Sequence, residues 1–141
     1  MPKVMIVDDA AFMRAIIKDI VVELGWEASE AAGGAEAVAV YNIVKPDLVT
    51  MDITMPEMDG ITALRKLIRL DPGAKVVMIS AMSHHHQVIE SVRAGAVDFI
   101  AKPLLKDRVK LALERALSRK TTKPAGERPH YSTKPSATAS Y

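Results

Sequence analysis

The chain contains no cysteine among its 141 residues, which excludes disulfide staples and thiolate chemistry. It also lacks an apolar run long enough to span a bilayer, and its first residues do not follow the charged-then-apolar order of a signal peptide. A cytoplasmic location without membrane insertion is therefore the default expectation. Neither sign of charge dominates, but the net charge of +2 hides an asymmetry. From Arg119 onward, five basic residues (Arg119, Lys120, Lys123, Arg128, Lys134) face a single acid, Glu127, an excess of +4. Residues 1–118 keep fourteen basic and sixteen acidic side chains, or −2. The basic character belongs to the tail, and nothing suggests a folded surface for nucleic acid. That tail carries Pro124, Pro129 and Pro135 among Ser and Thr, with almost no aliphatic residues. It cannot bury enough apolar surface to offset its ordering entropy. Residues 1–118 are expected to form one domain, and residues 119–141 a disordered basic tail or linker.

Within the first 118 residues, short apolar runs alternate with helical patterns. Lys3–Val7, Trp26–Glu30, Asp47–Met51, Lys75–Ser80 and Val97–Ala101 read as strands. Between and after them, Phe12, Ile16, Ile17, Ile20, Val21 and Leu24 recur at helical spacing up to Gly25. A second helical pattern runs through Ala37, Val38, Tyr41 and Val44 to a stop at Pro46. Asp59–Leu70, His84–Ala94 and Lys106–Ser118 complete five predicted helices. Five strand–helix units of this size argue for an α/β fold, a parallel sheet covered by helices on both faces.

In such a sheet, ligands sit beyond the carboxyl ends of the strands. Asp8 and Asp9 follow the first strand, Asp52 the third, Ser80 ends the fourth and Lys102 follows the fifth. Three acids brought together repel unless a cation or protons neutralise them. An all-oxygen site with few protein ligands suits Mg²⁺, which keeps several waters and binds substrate phosphate. Lys102 could neutralise one phosphoryl oxygen and Ser80 donate to another. A lone strand-end Asp is more often a turn former or helix cap, and Asp9 could cap the first helix. Five complementary groups on one edge favour a phosphoryl site.

The segments Val-Asp-Asp (7–9), Met-Asp-Ile-Thr-Met-Pro-Glu-Met-Asp-Gly (51–60), Ile-Ser-Ala (79–81) and Gly-Ala-Val-Asp-Phe-Ile-Ala-Lys-Pro (95–103) resemble the response-regulator receivers. The resemblance covers residue 3 to about 118. It implies a doubly wound, flavodoxin-like five-stranded parallel sheet of order 2-1-3-4-5 with five helices. It further implies Asp52 as phosphoacceptor, Mg²⁺ held by Asp8, Asp9, Asp52 and the backbone carbonyl of Thr54, and phosphoryl contacts from Lys102 and Ser80. A cis peptide is expected at Lys102-Pro103. Phe99 stands at the family's switch aromatic, responding to Ser80 and altering the face of the fourth helix, fifth strand and fifth helix; it could equally be plain core. Thr54 and Met82 would flank the path of the hydrolytic water, bulky Met82 slowing self-dephosphorylation. Asp8–Arg14, Met51–Pro56, Ser80–Met82 and Val88–Glu90 are similar to the chemotaxis branch of the family. The implied partners are a histidine kinase, a flagellar motor switch or other output protein, and a phosphatase.

Other readings fit less well. His84-His85-His86 would point in different directions around a helix, a poor metal cage. Gly33-Gly34 lacks dinucleotide-loop spacing, and Asp8 and Asp9 would repel a flavin phosphate. Phosphohydrolases of the haloacid dehalogenase type carry a second Asp two residues after the nucleophile, where this chain has Thr54. The expectation is a switch that catalyses its own phosphotransfer and autodephosphorylation, not a turnover enzyme. The alternatives are a receiver cut from a longer methylesterase or DNA-binding regulator, and a phosphorelay intermediate.

Overall fold

The computed structural model describes residues 1–81 and 85–119. Its elements run β1 (Lys3–Val7), α1 (Ala11–Glu23), β2 (Glu27–Ala31), α2 (Gly34–Val44), β3 (Leu48–Asp52), α3 (Gly60–Leu70), β4 (Val76–Ser80), α4 (His85–Ala94), β5 (Asp98–Ala101) and α5 (Lys106–Ser118). All strand pairs are parallel, in the order β2-β1-β3-β4-β5. The doubly wound arrangement expected from the sequence is the one found.

Burial explains the strand composition. The central strands β3 and β4 are buried at every residue, as a strand covered on both faces must be. Side chains alternate between two cores. Met5, Val49, Met51 and Met78 meet Ala37 and Tyr41 of α2 and Leu64 and Leu67 of α3. Val4, Ile6, Leu48, Val77 and Ile79 meet Ile17, Ile20 and Val21 of α1 and Val109, Leu113 and Ala116 of α5. At the edges, β2 and β5 mix exposed and buried positions.

Where an expected element end differs from the observed one, it does so by a single residue, for local reasons. The Trp26 amide still donates to the Val21 carbonyl at 3.2 Å, so β2 begins only at Glu27. Asp47 turns its carboxylate to the Lys3 amide at 2.8 Å and precedes β3. Asp59 lies outside α3 as its N-cap, accepting from the Thr62 amide and hydroxyl at 2.9 Å each. Gly25, with φ of 81°, turns the chain out of α1 as its position suggested. Phe12 and Ile16 share the helical spacing of α1 but are 68% and 42% exposed, unlike Ile17, Ile20 and Val21. His84, Met82 and residues 120–141 lie outside the described residues. No described helix is long and apolar enough to cross a membrane.

Candidate functional site

Parallel strands carry every carboxyl end to one edge, and three acids meet there. Asp8 and Asp52 are buried while Asp9 is exposed. One carboxylate oxygen from each of the three lies within 4.8 Å of the others. The alternative of Asp9 as the α1 cap does not hold, because Ala10 is the N-cap and no side chain caps it. Asp8 instead orders the turn, its Oδ1 accepting from the Ala10 amide at 2.9 Å.

Lys102 brings the opposing charge. Its Nζ lies 3.5 Å from Asp52 Oδ1. The ladder continues past the strand ends to hold both residues: the Lys102 amide donates to the Ser80 carbonyl at 2.7 Å, and the Ile53 amide to the Ile79 carbonyl at 3.0 Å. The Lys102-Pro103 peptide is cis, as expected.

Burial pushes the Asp52 carboxyl up to about 6, aided by the neighbouring charges of Asp8 and Asp9 and opposed by Lys102. Burial also raises Asp8, against the Ala10 hydrogen bond and the Lys102 charge. One ammonium does not compensate three carboxylates. The donor set is all oxygen and net anionic, which fits a hard divalent cation of the Mg²⁺ type.

Ser80 ends β4 and is buried. Register gives it a neighbour: Met78 pairs with Phe99 and Ser80 with Ala101, so all four side chains leave one face of the sheet. Phe99 is partly buried there, packed against the core under α2 and α3. Asp52 pairs with Ile79 and so emerges on the opposite face, towards α1 and α5. Ser80 and Phe99 therefore approach the edge from one side of the sheet and Asp52 from the other. Thr54 is exposed in the loop after β3.

Two residues that the sequence reading left without a role belong to the surroundings. Gly60 packs under the Asp52 backbone, and Arg14 donates to the Asp8 carbonyl. Both stand inside quoted motifs, but only tertiary contact reveals what they touch.

The family model described as "Response regulator receiver domain" matches residues 4–114. The chain belongs to the response-regulator receiver family. This receiver is 54% identical over 114 residues to the chemotaxis protein CheY of Thermotoga maritima, covering 80% of this chain and 95% of that one. It is 54% identical over 117 residues to CheY of Bacillus subtilis, covering 82% and 98% respectively. Among solved structures, CheY in the CheX-CheY-BeF3-Mg complex from Borrelia burgdorferi superposes with a TM-score of 0.81. The identity there is 37%, with 84% of this chain and 90% of that chain covered. The receiver is thus a CheY-like response regulator, of a family that works with kinases and output proteins.

Proposed function

We propose that this receiver accepts a phosphoryl group on Asp52 from a histidine kinase and signals through the face of α4, β5 and α5. The observation that carries this reading is a buried carboxylate 3.5 Å from a lysine ammonium, with two further acids drawn in around it. A carboxylate oxygen of Asp52 attacks the phosphorus of a phosphohistidine. The P–N bond breaks, its electron pair goes to the imidazole, and an acyl phosphate forms. Asp8, Asp9, Asp52 and the Thr54 carbonyl would hold Mg²⁺, whose charge lowers the repulsion between anionic donor and anionic nucleophile. Lys102 neutralises phosphoryl oxygen charge as it develops, and Ser80 donates a hydrogen bond to it. Attack of water on phosphorus later regenerates the Asp52 carboxylate, so the chain makes and loses its own modification.

Ser80 drawn towards the phosphoryl group vacates space on the face it shares with Phe99. The ring can move into that space, carrying the chemical event to the output face. The likeness to CheY proteins supports chemotaxis control through a flagellar motor switch, in the cytoplasm. A further partner is proposed to be a phosphatase, supported by the Borrelia relative in complex with CheX.

Acetyl phosphate with Mg²⁺ tests the assignment directly. Wild-type protein should gain acid-labile phosphate and the Asp52→Asn variant none, while binding to motor-switch peptides strengthens only for the former. Phosphate retained on Asp52→Asn overturns the assignment.

A further inference from the structure

The loop between β1 and α1 supplies two of the three acids, and its shape depends on a residue outside it. The Asp8 amide donates to the Ala31 carbonyl at 3.2 Å, at the end of β2. The Asp8 carbonyl accepts from Arg14 Nη1 at 2.7 Å. The same guanidinium donates through Nε to Glu30 Oε1 at 2.9 Å, and Lys18 Nζ lies 3.8 Å from the other oxygen of Glu30. Arg14 has a side chain only 17% exposed, so this fork lies against the protein surface and does not reach freely into solvent.

The Asp8 carbonyl is half of the peptide that joins Asp8 to Asp9. A peptide group is planar and stiff, so holding its oxygen orients the amide and Cα of the next residue as well. Asp9 is exposed and gains little from packing. That plane fixes where its Cα stands beside Asp8. We propose that Arg14 is a positioning residue for cation binding, clamping the Asp8–Asp9 peptide to Glu30 of β2 so that both carboxylates face Asp52. The proposal rests on the reading of the acid cluster as a divalent-cation site.

Charge and geometry make opposite predictions here, which makes the idea testable. Removing a cation near three carboxylates should, by Coulomb's law alone, tighten binding of a second cation. Removing a clamp should weaken it, as outer-shell partners do, by about tenfold. Arg14 is already paired with Glu30, so its net field at the site is small and the clamp should win.

The experiment is calorimetric titration of the folded apo protein with Mg²⁺. Arg14→Gln should raise the Mg²⁺ dissociation constant about tenfold. Arg14→Lys keeps the charge but cannot bridge both acceptors as the planar fork does, and should weaken binding similarly. Tyr41→Phe serves as a structural control. It removes a 2.8 Å hydrogen bond to Asp71, away from the acids, and should lower stability with Mg²⁺ affinity unchanged. Unchanged or tighter binding by Arg14→Gln, wild-type affinity in Arg14→Lys, or equal weakening in Tyr41→Phe overturns the clamp. Should the wild-type protein take up no Mg²⁺ at millimolar concentration, the cation site itself is wrong. Wild-type uptake with unaltered Arg14 variants removes the clamp alone.

Discussion

A Cβ at position 60 would lie 2.1 Å from the Asp52 carbonyl oxygen and 2.8 Å from the Ile53 Cα. Only glycine allows α3 to begin so close under Asp52, and the Gly60 amide uses that closeness to donate to the Ile53 carbonyl at 2.7 Å. Gly60→Ala must therefore push backbone, not a yielding side chain. The expected cost is about 2 kcal/mol or more of folding stability, read from urea unfolding. Phosphorylation of Asp52 should slow by about tenfold or more even at saturating Mg²⁺, because displacement of a reacting group by a fraction of an ångström is costly. A variant with wild-type rates would separate the glycine from the chemistry. At this scale the sequence was most informative where complementary groups fall together. Asp8, Asp9, Asp52 and Lys102 could be named because they share one sheet edge, although any one of the acids alone could have been a turn former or cap. Gly60 and Arg14 could not be given roles, since a missing Cβ and a guanidinium gain meaning only from what lies beside them.

Elements were legible to the extent that their patterns are periodic. The buried strands β3 and β4 announce themselves as apolar runs, and α5 was expected with the limits it has. Ends were less so, because they are decided by single bonds such as those of Trp26 and Asp47 described above. Apolar spacing also overstated α1, where Phe12 and Ile16 point to solvent. One departure from pattern lies inside β3. Thr50 is fully buried with a hydroxyl that finds no hydrogen-bond partner among the described residues, between Ile6 and Val77 of the neighbouring strands. An unpaired buried hydroxyl costs about 1–3 kcal/mol. Thr50→Val keeps the β-branched shape and removes that penalty, so it should stabilise the receiver by about 1 kcal/mol in urea denaturation. A destabilised Thr50→Val protein would mean that the hydroxyl has a partner in solution, such as an internal water.

At the scale of the whole molecule, the sheet edge holds charges that the fold does not favour. The ordinary carboxyl value for Asp52 is 3.8, and burial beside Asp8 takes it to about 6 in the folded protein. A carboxyl raised on folding favours the protonated native state. Its stabilising contribution is complete below about pH 4 and is lost as the pH rises through about 6. At neutral pH without divalent cation, Asp52 thus weakens the fold by an amount of order 3 kcal/mol. Asp8, shifted in the same direction, adds to it. The comparison that isolates the effect is Asp52→Asn against wild type across pH in chelator. The two should be nearly equal in stability near pH 4, with the variant ahead by about 2–3 kcal/mol above pH 7. Saturating Mg²⁺ above pH 7 should raise the wild-type melting temperature by several degrees, and that of Asp52→Asn by less, since the native state alone gathers the ligands. The melting curves decide the matter: a gap between the two proteins that does not change with pH would mean the acid cluster is not strained. If it is strained, the energy held there in the apo protein is what makes the edge receptive to a cation, and the same repulsion is what binding of that cation relieves.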